Sequence, residues 1–204
     1  MKNNPVVTQR KPAQKRGLER VQQILDAAEI LITEKGTEGI TVRELSARSA
    51  TSAGSFYHFF ADTDAVLLML KKRYDEKIDQ LLKQITASCT PEEWQGKNAV
   101  GFIHDLFSPY VRFIIANRAY LHIALDGEFN YSESVFHTSL VSMMKTRQPS
   151  WPEDRIILES RFMHSTALGV IQQVFLRDTE MAYTFLPKVI RLLGWELEMI
   201  EKEP

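Results

Sequence analysis

Apolar residues recur at helical spacing along almost the whole chain, while alternating runs of β-branched residues are hard to find, so the pattern dictates an all-α fold. Val21, Ile24, Leu25, Ala28, Leu31 and Ile32 form one buried stripe on a helix from about Leu18 to Lys35, which Gly36 stops. Val66, Leu70, Tyr74, Ile78, Leu81 and Ile85 do the same over a long helix from about Asp64 to Ser88, ahead of Pro91. The spacing predicts further helices near Ala99 to Ala116, Arg118 to Leu125, Ser132 to Lys145, Pro152 to Arg177 and Thr179 to Lys202. Gly127 and the stretch Gln148, Pro149, Ser150 are the breaks. Pro187 removes a backbone hydrogen bond inside the last of these, so a kink or a helix start is expected there. A chain of 204 residues with 44 % hydrophobic residues buries a core without staples.

Absent motifs narrow the chemistry. The five histidines, at positions 58, 104, 122, 137 and 164, are scattered, and Cys89 is the lone cysteine. No H-E-x-x-H, C-x-x-C, P-loop, G-x-G-x-x-G or G-x-S-x-G pattern occurs, so no enzyme, no metal and no cofactor are expected. The missing disulfide partner implies a reducing setting. The longest obvious apolar block, Ala65 to Leu70, is far too short to span a membrane, and the amino-terminal stretch has no apolar signal core. A cytoplasmic protein with no membrane partner is therefore expected. An all-α enzyme and a helical interaction module without DNA binding are the competing classes.

The formal charge of −1 conceals a division along the chain. Residues 1–60 carry nine basic and six acidic residues, and the remaining 144 carry 16 basic and 20 acidic. Residues 1–17 hold Lys2, Arg10, Lys11, Lys15 and Arg16 with no acidic residue and two prolines, the composition of a flexible basic arm suited to minor-groove or phosphate contacts. Thr41 followed by Val42, Arg43 and Glu44 has the form of a capping box, with Ile40 and Leu45 placed as a hydrophobic staple. A short helix from Val42 to about Ser49 follows. Ser52 then caps a second short helix, Ala53 to Phe59. Two short helices joined by a tight turn and preceded by a longer one make a helix-turn-helix unit. Small side chains at Thr51, Ser52, Ala53 and Ser55 let such a helix sit deep in a major groove, with Tyr57 and His58 against the backbone or a thymine methyl. Phe60 and Phe56 are expected in the core.

The run TVRELSARSATSAGSFYHFF, Thr41 to Phe60, resembles the DNA-binding region of the TetR family of transcriptional regulators. Thr41, Leu45, Ser52, Gly54, Tyr57 and Phe60 carry the likeness, which covers roughly residues 18–70. Ala50 stands where the family usually has a glycine, and Thr63 where it usually has a lysine that touches a phosphate. The resemblance implies that Arg43 reads a base, with guanine the best match to its bidentate fork. It implies three parts: the arm over 1–17, a helix-turn-helix DNA-binding domain over 18–63, and a helical ligand-binding and dimerisation domain over 64–204. It further implies a homodimeric regulator, most often a repressor, that binds a palindromic operator in double-stranded DNA and is released by a small-molecule effector. The long helix after Asp64 would then act as the lever.

The carboxy-terminal part supports this independently. Ala182, Leu186, Val189, Leu193, Leu197 and Ile200 form one stripe, with Met181, Phe185, Leu192 and Met199 beside it. A helix apolar over that much of its circumference is buried on more than one side, as at a dimer interface built from the last two helices. Phe102, Phe107, Tyr110, Phe113, Tyr120, His122, Phe129, Phe136, Met143, Met144, Phe162, His164 and Gln172 are candidates to line an effector pocket. Aromatic rings and methionines with few polar groups suit an apolar or aromatic ligand.

Overall fold

The computed structural model describes residues 11–125, 134–175 and 178–203. Among them the chain forms ten helices and no strand. In order these are α1 (Lys11–Lys35), α2 (Val42–Arg48), α3 (Ala53–Phe59), α4 (Thr63–Thr86), α5 (Pro91–Gly96), α6 (Ala99–Ala116), α7 (Arg118–Leu125), α8 (Val135–Arg147), α9 (Glu153–Phe175) and α10 (Thr179–Ile200). They fall into two compact units that divide between Lys72 and Arg73, within α4.

The first unit is built on α1, whose stripe of Ile24, Leu25, Ala28, Leu31 and Ile32 is buried, as are Ile40, Leu45, Phe56, Phe60, Val66 and Leu70. Gly36 ends α1 as a left-handed residue, φ 79°, and its N–H donates to the Ile32 carbonyl at 2.8 Å. The helix begins at Lys11, seven residues before the expected start. Pro12 falls in its first turn, where a missing N–H costs nothing, so residues 11–17 are helical and not part of a flexible arm. Residues 1–10 of that arm lie outside the described residues.

In the second unit α6 is the central apolar helix, buried at Phe102, Ile103, Leu106, Phe107, Tyr110, Val111, Ile114 and Ile115. It packs on α10, and α9 packs on both α10 and α8. The α6–α10 crossing is tight at Gly194. A Cβ there would lie 2.7 Å from the Val100 Cα, so only a glycine lets the two backbones approach. Pro187 does not start α10: the helix begins eight residues earlier, at Thr179, where Asp178 accepts from the N–H groups of Glu180 (2.9 Å) and Met181 (3.1 Å), and it runs on through the proline.

The unexpected helix is α5. Thr90 and Glu93 form a complete capping box, Pro91 occupies the first turn, and Trp94 is buried with its indole N–H donating to the Thr86 carbonyl at 3.1 Å. Pro91 is therefore a start rather than only a stop. The end of α8 is held by Arg147, whose guanidinium pairs with Glu201 through Nε (2.5 Å) and Nη2 (3.1 Å) and donates to the Lys97 carbonyl at 2.8 Å. The α8 and α9 ends differ from expectation by a few residues; Ser132 and Arg177 lie outside the described residues.

Candidate nucleic-acid interface and effector region

The helix-turn-helix of the first unit is locally over-determined. Thr41 caps α2, its hydroxyl oxygen accepting from the Glu44 N–H at 3.3 Å. The Glu44 carboxylate departs from the expected capping box. It accepts from the Thr41 hydroxyl (2.8 Å) and pairs with the Lys35 ammonium instead of reaching the Thr41 backbone. The Lys35 and Thr41 hydrogen bonds hold its pKa below the usual carboxylate value. Ser52 caps α3 by accepting from the Ser55 N–H at 3.2 Å. Between the two helices Ala50 takes a left-handed conformation, φ 49°, at the position where the family that the sequence resembles usually has a glycine. Arg20 braces that turn from α1, donating through Nη1 to the Ala50 carbonyl (3.3 Å) and the Thr51 hydroxyl (3.4 Å). Nothing in the local sequence announces Arg20, because its partners are thirty residues away.

The predicted DNA-contact residues separate into two groups. Thr41, Arg43, Ser52, Ala53, Tyr57 and His58 are exposed, and Ser55 is half-buried. Thr51 is 6 % exposed and its hydroxyl donates to the Ser49 carbonyl at 3.2 Å, so it holds the turn from inside and is not placed on the surface. Thr63 is half-buried at the start of α4, whose third amide, that of Ala65, already donates to the Asp62 carboxylate at 2.8 Å. That helix end is capped by an anion, which opposes a phosphate there. Beneath α3, Phe56 and Phe60 are buried as expected, with ring centroids 5.7 Å apart. Arg48 is engaged bidentately by Glu34, at 3.0 and 2.9 Å. Arg43 makes no ion pair among the described residues.

In the second unit most of the candidate effector residues form packed aromatic layers. Tyr110 stacks on Phe136 with centroids 3.9 Å apart and planes at 13°, and Phe107 meets Phe136 edge-on at 4.9 Å. The His164 ring lies 5.0 Å from Phe136 and 6.1 Å from the nearly parallel ring of His137. Tyr74, Phe113 and Tyr120 form a second group, and Trp94 with Phe102 a third. Burial, reinforced by His137, lowers the His164 pKa to about 3. Burial and then Arg161 lower His137, and burial and then Arg118 lower the half-buried His122. Met143 and Met144 are buried, whereas Phe162 is 48 % exposed on α9. The Gln172 side chain and Phe129 lie outside the described residues.

Two open clefts flank the carboxy-terminal half of α4. One, of about 560 Å³, lies toward α8 and is lined by Leu82, Thr86, Cys89, Ser139, Ser142 and Met143 among others. The other, of about 480 Å³, lies toward α6 and is lined by Leu81, Ile85, His104, Ser108, Pro109 and Arg112 among others. Of the sequence-selected effector residues only Met143 lines either one, because the periodicity that marks aromatic residues as inward-facing does not distinguish a packed layer from a cavity wall.

Comparison with known proteins adds to this geometry. Residues 24–70 match the family model described as bacterial regulatory proteins, tetR family. The Transposon Tn10 TetC protein of Escherichia coli is 26 % identical over 96 residues, which cover 47 % of this chain and 45 % of that protein, so the match spans less than half of either. The fold is similar to that of a TetR-family transcriptional regulator from Streptomyces coelicolor, at TM-score 0.61 and 17 % identity, covering 87 % of this chain and 97 % of the other. The fatty acid degradation regulator FadR of Bacillus halodurans follows at TM-score 0.60 and 16 % identity, with coverages of 86 % and 94 %. SmeT, repressor of the Stenotrophomonas maltophilia multidrug efflux pump SmeDEF, aligns at TM-score 0.53 and 19 % identity, covering 79 % and 83 %.

Proposed function

We propose that the chain is a TetR-family regulatory protein, a reading supported by the family match over residues 24–70 and by the helical layout, and that it acts as a dimeric, effector-released repressor. The observation that carries this is the doubly capped helix-turn-helix with Arg43, Ser52, Tyr57 and His58 exposed on it. Residues 18–63 form the DNA-reading part and residues 64–204 the part that dimerises and takes the effector. Arg43 reads a base in the major groove, Ser52, Ala53 and Ser55 let α3 approach the groove floor, and Tyr57, His58 and Thr41 lie along the backbone. Two copies related by a two-fold axis place two α3 helices in successive major grooves about 34 Å apart, so the operator is palindromic.

Dimerisation through α9 and α10 is supported by the large apolar side chains these helices leave exposed, among them Leu158 (64 %), Leu192 (53 %), Trp195 (55 %) and Met199 (60 %). A run of this kind is more apolar surface than a solitary protomer exposes without reason. The effector stabilises a dimer in which the two α3 helices are spaced wrongly for the operator, since a ligand of equal affinity for both states shifts nothing.

Titration of the protein with genomic fragments at two salt concentrations tests the DNA reading. Selective, salt-dependent binding is expected, and weak binding that is indifferent to both sequence and salt would refute it. On a selected operator, Arg43→Ala loses roughly 1–3 kcal/mol and relaxes specificity at one position per half-site. An equal loss on every sequence would make Arg43 a phosphate contact instead.

A further inference from the structure

We propose that the effector is an uncharged aromatic molecule bearing a hydroxyl or carbonyl group, and that His137 of α8 and Ser160 of α9 recognise that group. The proposal rests on the effector-binding reading above and adds the chemistry of the ligand. His137 is 6 % exposed and Ser160 is fully buried, yet neither the His137 Nε2 nor the Ser160 Oγ has a hydrogen-bond partner among the described residues. A buried polar atom without a partner is costly relative to a paired one, so two in the same α8–α9 layer call for an explanation beyond packing. Both lie beside His164: its ring is 6.1 Å from that of His137, and Ser160 is one helical turn before it on α9.

The surroundings define the ligand. Phe136, 5.0 Å from His164, and Tyr110, stacked on Phe136, make the surroundings of His137 and Ser160 aromatic, so a flat aromatic ring is the shape that matches them. Both imidazoles are held neutral by burial, so the His137 Nε2 meets a ligand as a neutral donor or acceptor. Arg161, the cation whose field reaches His137, has its own side chain exposed to water. A carboxylate or an ammonium placed among these rings would be desolvated without a counter-charge, which is far more costly than burying a neutral group that is hydrogen-bonded. A hydroxyl both donates and accepts, and so matches an imidazole nitrogen and a serine hydroxyl together.

Three probes with one ring system separate the possibilities: 2-naphthol, naphthalene and 2-naphthoate, each added to the full chain at pH 7.5 and followed by thermal denaturation and by direct titration. Stabilisation by 2-naphthol, less by naphthalene and none by 2-naphthoate is expected. His137→Phe keeps a flat aromatic ring and removes both ring nitrogens, so it leaves the melting temperature of the free protein unchanged or higher while weakening 2-naphthol up to about tenfold, the size of one net hydrogen bond. Ser160→Ala makes the same test with a smaller side chain should the phenylalanine fail to fold. Preference for 2-naphthoate, no response to any of the three, or unchanged 2-naphthol affinity in both variants overturns the proposal. So does destabilisation of the free protein by both variants, which would mean the two groups are satisfied by internal water. None of these outcomes touches the operator titration, so a failure here is distinct from a failure of the regulator reading.

Discussion

Glu201→Gln offers a sharp test of what holds the second unit together. Glu201 is the C-cap of α10, where its negative charge meets the negative end of the helix dipole, and it stays there because Arg147 pairs with it through two nitrogens. The Arg147 side chain is 6 % exposed and that of Glu201 17 %, so solvent screens the pair little. Arg147 also donates to the carbonyls of Lys97 (2.8 Å) and Trp94 (3.4 Å) and lies 4.9 Å over the Phe102 ring, and Gln148 donates to Glu201 at 2.9 Å. Removing the carboxylate charge strands a buried guanidinium that three other contacts prevent from turning outward. The expected cost is that of breaking a buried ion pair, about 3–5 kcal/mol. At roughly 2–4 °C per kcal/mol for a chain of this size, the melting temperature should fall by about 6–20 °C. Arg147→Met should be milder, because it removes the stranded cation and leaves a carboxylate near the surface. Urea unfolding of both single variants and of the double variant yields the coupling free energy directly. A coupling below about 1 kcal/mol, the range of exposed pairs, would show that the clamp is ornamental and refute the reasoning.

Three further outcomes are expected. Ala50→Gly should stabilise the first unit by about 1 kcal/mol, read as a higher urea midpoint at unchanged slope, because a left-handed alanine pays a Cβ penalty that glycine avoids. Gly194→Ala should destabilise the second unit by about 1–3 kcal/mol, since the Val100 backbone stands where the new methyl would go; a neutral result would mean that α6 and α10 slide apart freely. Stability should fall as pH drops below about 6.5, by roughly 2 kcal/mol between pH 7 and pH 5 from His164 alone. The sign follows from the depressed native pKa: the unfolded imidazole takes a proton near 6.5, while the folded one refuses it until about 3, so the loss accumulates over that window. His164→Phe should flatten the slope over the same range, and an unchanged slope would assign it to other groups.

Local signals were the ones most readable from the residues. Thr41 and Ser52 cap the helices expected of them, and Ala53–Phe59, Ala99–Ala116 and Arg118–Leu125 have the bounds that the periodicity predicts. The signal for α5 is present too, in Thr90, Pro91 and Glu93, but a proline after a long helix marks a stop as readily as a start. What the sequence hides is long-range. Arg147 meets Glu201 across 54 positions and Arg20 meets Ala50 across 30, and no window of neighbouring residues encodes either pairing. Thr51 looked like a groove-facing residue because small polar side chains suit a recognition helix. It is buried because the turn bends it inward against Arg20 and Ser49.

The brace from Arg20 bears on how this chain can be taken apart. Residues 24–70 are the part that matches the family model, but the side chain that steadies the inter-helix turn lies four positions upstream of them. A chimera joined at residue 24 would carry the helix-turn-helix across without its strut, and the turn it leaves unsupported is the one already bearing a left-handed alanine. For this chain, the transplantable module begins with α1 as a whole.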